Sequence, residues 1–173
     1  MKVLFAARLV NFKDPVTFIQ AAHKLPSYEF HVAGDGKLMG DCKKLAFGYE
    51  NIHLLGWVSQ NIVNDLMNEA DVFCQLSPIE NLWATTLISA MKHKKAIVCT
   101  DVGCVRQYLV DGQHVLLIPP KDDAKLIHAI IKLENAELRR MLGENACNFV
   151  EANLSLGKCA ERIHELLIRE TES

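Results

Sequence analysis

Val72-Phe73-Cys74-Gln75-Leu76, the turn Ser77-Pro78-Ile79-Glu80-Asn81-Leu82-Trp83-Ala84, then Thr85-Thr86-Leu87-Ile88-Ser89-Ala90-Met91-Lys92 and Ala96-Ile97-Val98-Cys99-Thr100 form the stretch on which the fold turns. The outer runs are apolar at nearly every position, as strands covered on both faces are. The run between them carries the 3.6-residue pattern of a helix. Strand, helix and strand in that order imply two parallel strands with a crossover helix packed on their sheet.

The same alternation extends to both sides. Val3–Ala7, Glu29–Ala33, Ile52–Leu55 and His114–Ile118 complete a set of six candidate strands. Asp14–Leu25, Lys37–Phe47, Ser59–Glu69 and Val105–Val110 supply the helices between them. Asp14 before Pro15 and Ser59 before Gln60 mark helix starts, because a side-chain oxygen there satisfies free first-turn amides. After Pro119-Pro120 the pattern becomes helical only, over Asp122–Leu133, Ala136–Ala152 and Ser155–Arg169. The expected fold is a Rossmann-like, doubly wound α/β domain: a six-stranded parallel sheet with helices on both faces and an all-helical C-terminal segment. One domain spans residues 1–173, since 173 residues, half of them apolar, bury one core and not two.

Nineteen basic residues against twenty-one acidic ones give a formal charge of −2, which excludes a broadly basic nucleic-acid face. The six cysteines contain no C-x-x-C pair and read as reduced, mostly buried thiols of a cytoplasmic protein. Cys99 and Cys104, with His93 and His114 as sequence neighbours, lack tight ligand spacing and read as small apolar fillers. The apolar run after Met1 is too short for a signal peptide or a membrane span.

In such a sheet, ligands collect where strands end and helix N-termini offer unpaired amides. Arg8 follows the first strand and Lys13 stands five residues on, so two cations could meet one diphosphate; solvated charges flanking a turn are the plain alternative. Gly34-Asp35-Gly36 permits a tight turn, and lacks the third glycine and the position of a dinucleotide fingerprint. A left-handed turn is its plain reading. From Ser77 to Thr86 a serine, a carboxylate, an amide and two threonines crowd one strand-to-helix turn, able to hold sugar hydroxyls and phosphate. The turn Thr100–Arg106 is the fourth such place.

Further motifs recur in a fixed order. Ala7-Arg8-Leu9 leads to Lys13-Asp14; Val32-Ala33-Gly34-Asp35-Gly36 and Leu55-Gly56-Trp57-Val58 end two strands. Ala70-Asp71-Val72, Ser77 to Glu80, Ala90-Met91, Thr100 to Gly103, Asp111-Gly112 and Pro120-Lys121-Asp122 follow. In this order they resemble the C-terminal, donor-binding domain of the large retaining GT-B glycosyltransferase family often numbered four. The resemblance implies one half of a GT-B fold that binds a UDP-, GDP- or ADP-sugar for hexosyl transfer, with no metal and no further cofactor. It implies that Arg8 and Lys13 bind the donor diphosphate and neutralise charge as it leaves. It places Glu80 against hydroxyls of the donor sugar, and Asn81, Thr85 and Thr86 facing sugar and phosphates. Gly34, Gly36, Trp57 and Val58 would lie about the base.

Three departures stand out. The family's second glutamate, which grips the ribose, is Ser89 here, nine residues after Glu80 instead of eight. A hydroxyl can hydrogen-bond a ribose without charge assistance. Two family glycines are Asp14 and Lys94. The chain also opens at the family's second half, so an N-terminal acceptor-binding domain or separate subunit is the expected partner, and any contact with a membrane would be peripheral and made through that domain. Alternatives are a non-catalytic module of the same fold serving assembly, or half of a nucleotide-sugar epimerase. A nicotinamide oxidoreductase ranks lowest for want of the glycine fingerprint.

Overall fold

The computed structural model describes residues 1–79, 84–154, 157, 158 and 160. Strands β1 (Lys2–Ala6), β2 (Glu29–Ala33), β3 (Ile52–Gly56), β4 (Val72–Gln75), β5 (Ala96–Thr100) and β6 (Leu116–Ile118) form one parallel sheet in the order β3-β2-β1-β4-β5-β6. Helices α1 (Pro15–His23), α2 (Met39–Ala46), α3 (Gln60–Glu69), α4 (Thr85–Lys92), α5 (Gly103–Tyr108), α6 (Asp123–Lys132) and α7 (Ala136–Asn153) follow in chain order, with a 3-10 turn over Asn11–Lys13. The chain reverses its winding between β1 and β4, which opens a crevice at the carboxyl ends of those strands.

The interior is not the single core expected: alternation along each strand divides it into two, one on each face of the sheet. Val3 and Phe5 of β1 face a core completed by Phe18, Ile19, Ala22, Leu126 and Ile130 from α1 and α6. Leu4 and Ala6 face the other, with Met67 of α3, Leu87 and Met91 of α4, and Val105 of α5. Phe18 lies 5.4 Å from Phe5 and 5.2 Å edge-on to Phe30 between ring centroids. Helix α7 serves both cores: Leu142 enters the first, Ala146 and Val150 the second.

The expected caps form. Asp14 accepts hydrogen bonds from Thr17 N at 3.4 Å and Thr17 Oγ1 at 2.7 Å, and Ser59 accepts one from Ile62 N. Some boundaries move. β6 begins at Leu116 instead of His114, because His114 is held in a turn where its amide donates to Val110 O at 3.0 Å. α2 begins at Met39, since Leu38 N donates at 2.9 Å to Leu9 O and keeps that segment on the neighbouring turn. The expected helix Ser155–Arg169 falls almost wholly outside the described residues. No described helix is long and apolar enough to cross a membrane, and Cys42, Cys74, Cys99 and Cys147 are buried.

Candidate functional site

The loops at the carboxyl ends of β1, β2 and β3 are tied together by their backbones. Ala7 N donates to Ala33 O at 3.0 Å, Leu9 N to Asp35 O at 2.9 Å and Gly34 N to Gly56 O at 2.7 Å. The glycines make this approach possible. A Cβ on Gly34 would collide with the Ala7 carbonyl, and one on Gly36 would stand 2.5 Å from Leu9 O. Their φ values of +143° and +157° lie well away from the left-handed turn expected of them, so the geometry is an extended mirror conformation imposed by the neighbouring loop.

Above this joint lies an open cleft of about 320 Å³ whose walls include Arg8, Gly34, Asp35, Trp57, Val58 and Thr86. The size is that of an ordinary small-ligand site. Arg8 comes from the end of β1 and Thr86 from the first turn of α4, so the cleft straddles the β1/β4 crevice. Trp57 is 77% exposed, an indole face open to whatever enters. Sequence reasoning omitted Asp35, Gln60 and Val63, which also line the cleft. Asp35 stood inside the quoted Gly-Asp-Gly turn, and Gln60 beside the Ser59 cap.

The 3-10 turn puts both cations beside one aromatic ring. The Arg8 guanidinium lies 5.7 Å, and the Lys13 ammonium 5.5 Å, from the centroid of the Phe12 ring. Phe12, 42% exposed and also missed, is thus flanked by both charges. α4 adds a further positive end: its N-cap, Ala84, provides no side-chain acceptor to its first-turn amides.

Other expected positions lie elsewhere. Lys13, Gly36, Thr85 and Ser89 are outside the cleft lining. The ring Nδ1 of His93 lies 2.7 Å from Ser89 O and 3.5 Å from Ser89 Oγ, one helical turn along α4. Glu80 and Asn81 lie outside the described residues. Ser77, expected to hold sugar hydroxyls, is 1% exposed and accepts a hydrogen bond from Gln75 Nε2 at 3.1 Å. Thr100 Oγ1 donates to Ser77 O at 2.6 Å. This buried triplet anchors the turn after β4 from beneath, and Ser77 is a structural residue. At the fourth turn, Arg106 Nε pairs with Asp101 Oδ1 at 2.7 Å.

A family model described as glycosyl transferases group 1 matches residues 1–135 of the chain. The chain belongs to the glycosyl transferases group 1 family. An uncharacterized glycosyltransferase of Methanocaldococcus jannaschii is 28% identical over 98% of this chain, which covers 45% of that relative. The chain therefore spans about half the length of the curated relatives it matches. Among solved structures, HepE of Anabaena in complex with UDP and glucose superposes with a TM-score of 0.86 at 18% identity, over 96% of this chain and 47% of HepE. The C-terminal domain of a glycosyl transferase group 1 protein from Francisella tularensis gives 0.76 at 20% identity, over 90% of this chain and 86% of that one. These likenesses establish the GT-B half-fold expected from the motifs.

Proposed function

We propose that this domain binds the nucleotide-sugar donor for hexosyl transfer, as the donor half of a retaining GT-B glycosyltransferase. The observation that carries the reading is the cleft over the β1/β4 crevice. It combines Arg8, the Gly34 backbone, the Trp57 indole and Thr86 from the first turn of α4. Charge-assisted hydrogen bonds from Arg8 suit a diphosphate, with Lys13 beside it across Phe12. Trp57 offers a stacking face for a base, and Thr86 a hydroxyl. As the donor breaks, the leaving diphosphate gains charge, and fixed cations with helix amides stabilise it without a proton transfer. Glu80 and Asn81 take the roles the resemblance implies, at the sugar. Transfer itself requires an acceptor-binding half to close the cleft and orient the nucleophile.

UDP-glucose is the first donor to try, because HepE carries UDP and glucose on the same fold. Calorimetry with UDP-, GDP- and ADP-sugars should find one that binds 1:1. Arg8→Ala and Lys13→Ala should each weaken it about tenfold to a hundredfold, the value of a hydrogen bond to a charged group. Absence of binding by every donor would overturn the reading.

The engagement of Ser89 with His93 favours a second reading, in which the fold serves assembly without catalysis. Micromolar donor affinity that Glu80→Ala weakens would exclude it.

A further inference from the structure

On the sheet face covered by α3, away from the cleft, three metal-ligating side chains meet. Glu29 and His31 lie two residues apart on β2 and so share a face. His53 on the edge strand β3 is the direct register partner of His31. The two imidazole centroids are 4.8 Å apart at 47°, and Glu29 Oε2 pairs with His53 Nε2. One ligand atom from each of the three residues lies within 4.8 Å of the other two. We propose that Glu29, His31 and His53 form a binding site for a single divalent transition-metal ion of the zinc type.

The donor set decides the class of ion. Two imidazoles and one carboxylate suit borderline cations such as zinc, cobalt and nickel, whereas calcium and magnesium require oxygen ligands throughout. Three protein ligands leave an open position. Neighbouring charge is mixed: Lys2 acts against positive charge at His31, and Glu69, 2.8 Å from Lys2 Nζ, together with Glu29 offsets it.

Glu29 and His53 are half exposed, so the ion enters from solvent and the two side chains can turn toward it. Binding replaces the Glu29–His53 hydrogen bond: the ring proton passes to the other nitrogen and the freed lone pair takes the metal. The bound ion would clip edge strand β3 to β2 near the amino end of their ladder. At its other end the register already slips, between Val32 and Ala33.

The test is titration of the metal-stripped chain with zinc chloride by calorimetry, and with cobalt(II) by visible absorption. Expected are 1:1 binding, a four- or five-coordinate cobalt spectrum without thiolate charge transfer, and a rise in melting temperature of at least about 4 °C at saturating zinc. His31→Gln, His53→Gln and Glu29→Gln should each weaken zinc by more than about tenfold. His128→Gln, an exposed control on α6, should leave binding unchanged. Far-UV circular dichroism on each variant separates a lost ligand from a lost fold. No binding, thiolate bands, or affinity indifferent to the three variants in folded protein would overturn the proposal. Donor binding at the cleft is read separately and does not enter this result.

Discussion

At the scale of single residues, backbone conformation explains the family's glycines better than ligand contact does. Asp14 and Lys94, which replace two of them, sit at φ +54° and +53° in the left-handed region that favours glycine. Asp14 recovers part of that cost by capping Thr17; Lys94 is the left-handed residue that closes the end of α4, its amide donating to Met91 O at 3.0 Å, a place that favours glycine. Lys94→Gly should therefore raise stability by about 0.5–1 kcal/mol in urea denaturation, the relief of left-handed strain less the added chain entropy. Asp14→Gly should gain nothing. Gly34→Ala should destabilise, because the Ala7 carbonyl occupies the space of its Cβ. Much of the candidate site was legible at this scale: Arg8, Gly34, Trp57, Val58 and Thr86 were identified in the sequence and do line one cleft. Ser77 was not, since its burial depends on Thr100, 23 residues on, which sequence spacing does not bring beside it.

Among the elements, apolar runs and caps fixed the strands and helix starts, because those signals are local. Boundaries set by long-range contact were not legible, as with α2, held back by the Leu38 N to Leu9 O bond, and β6, shortened by the His114 turn. That turn carries a pH dependence. His114 Nδ1 accepts a hydrogen bond from Val110 N at 3.1 Å, and burial holds the imidazole below its ordinary value of 6.5. The folded state therefore binds this proton less readily than the unfolded chain. Its stabilising share is complete above pH 6.5 and is lost as pH falls through the lower folded value. Denaturation at pH 7.5 and 5.5 should show a loss on acidification that His114→Gln reduces. A second contrast concerns helical glycines. Gly40→Ala in α2 meets open space and should stabilise by about 0.5–1 kcal/mol. Gly143→Ala in α7 drives a methyl into the Lys94 carbonyl and should destabilise despite its better helix propensity. Equal effects at the two sites would refute the close packing of α7 on the turn after α4.

For the molecule as a whole, one sheet supplies both cores, so far-UV and near-UV dichroism should report a single unfolding transition. Among the described helices, α7 is the one that belongs to both. Residues 1–135 contain all six strands, and they are also the span the family model matches, yet Leu142, Ala146 and Val150 come later. A chain emerging from the ribosome would thus have its full sheet before it could seal either side. Released at residue 135, it should be compact and dye-binding, with helix and strand content but weak near-UV signal. The last turns of α7 to leave the exit tunnel would set the moment at which the nascent domain escapes chaperones, a timing carried by one helix and not by the sheet.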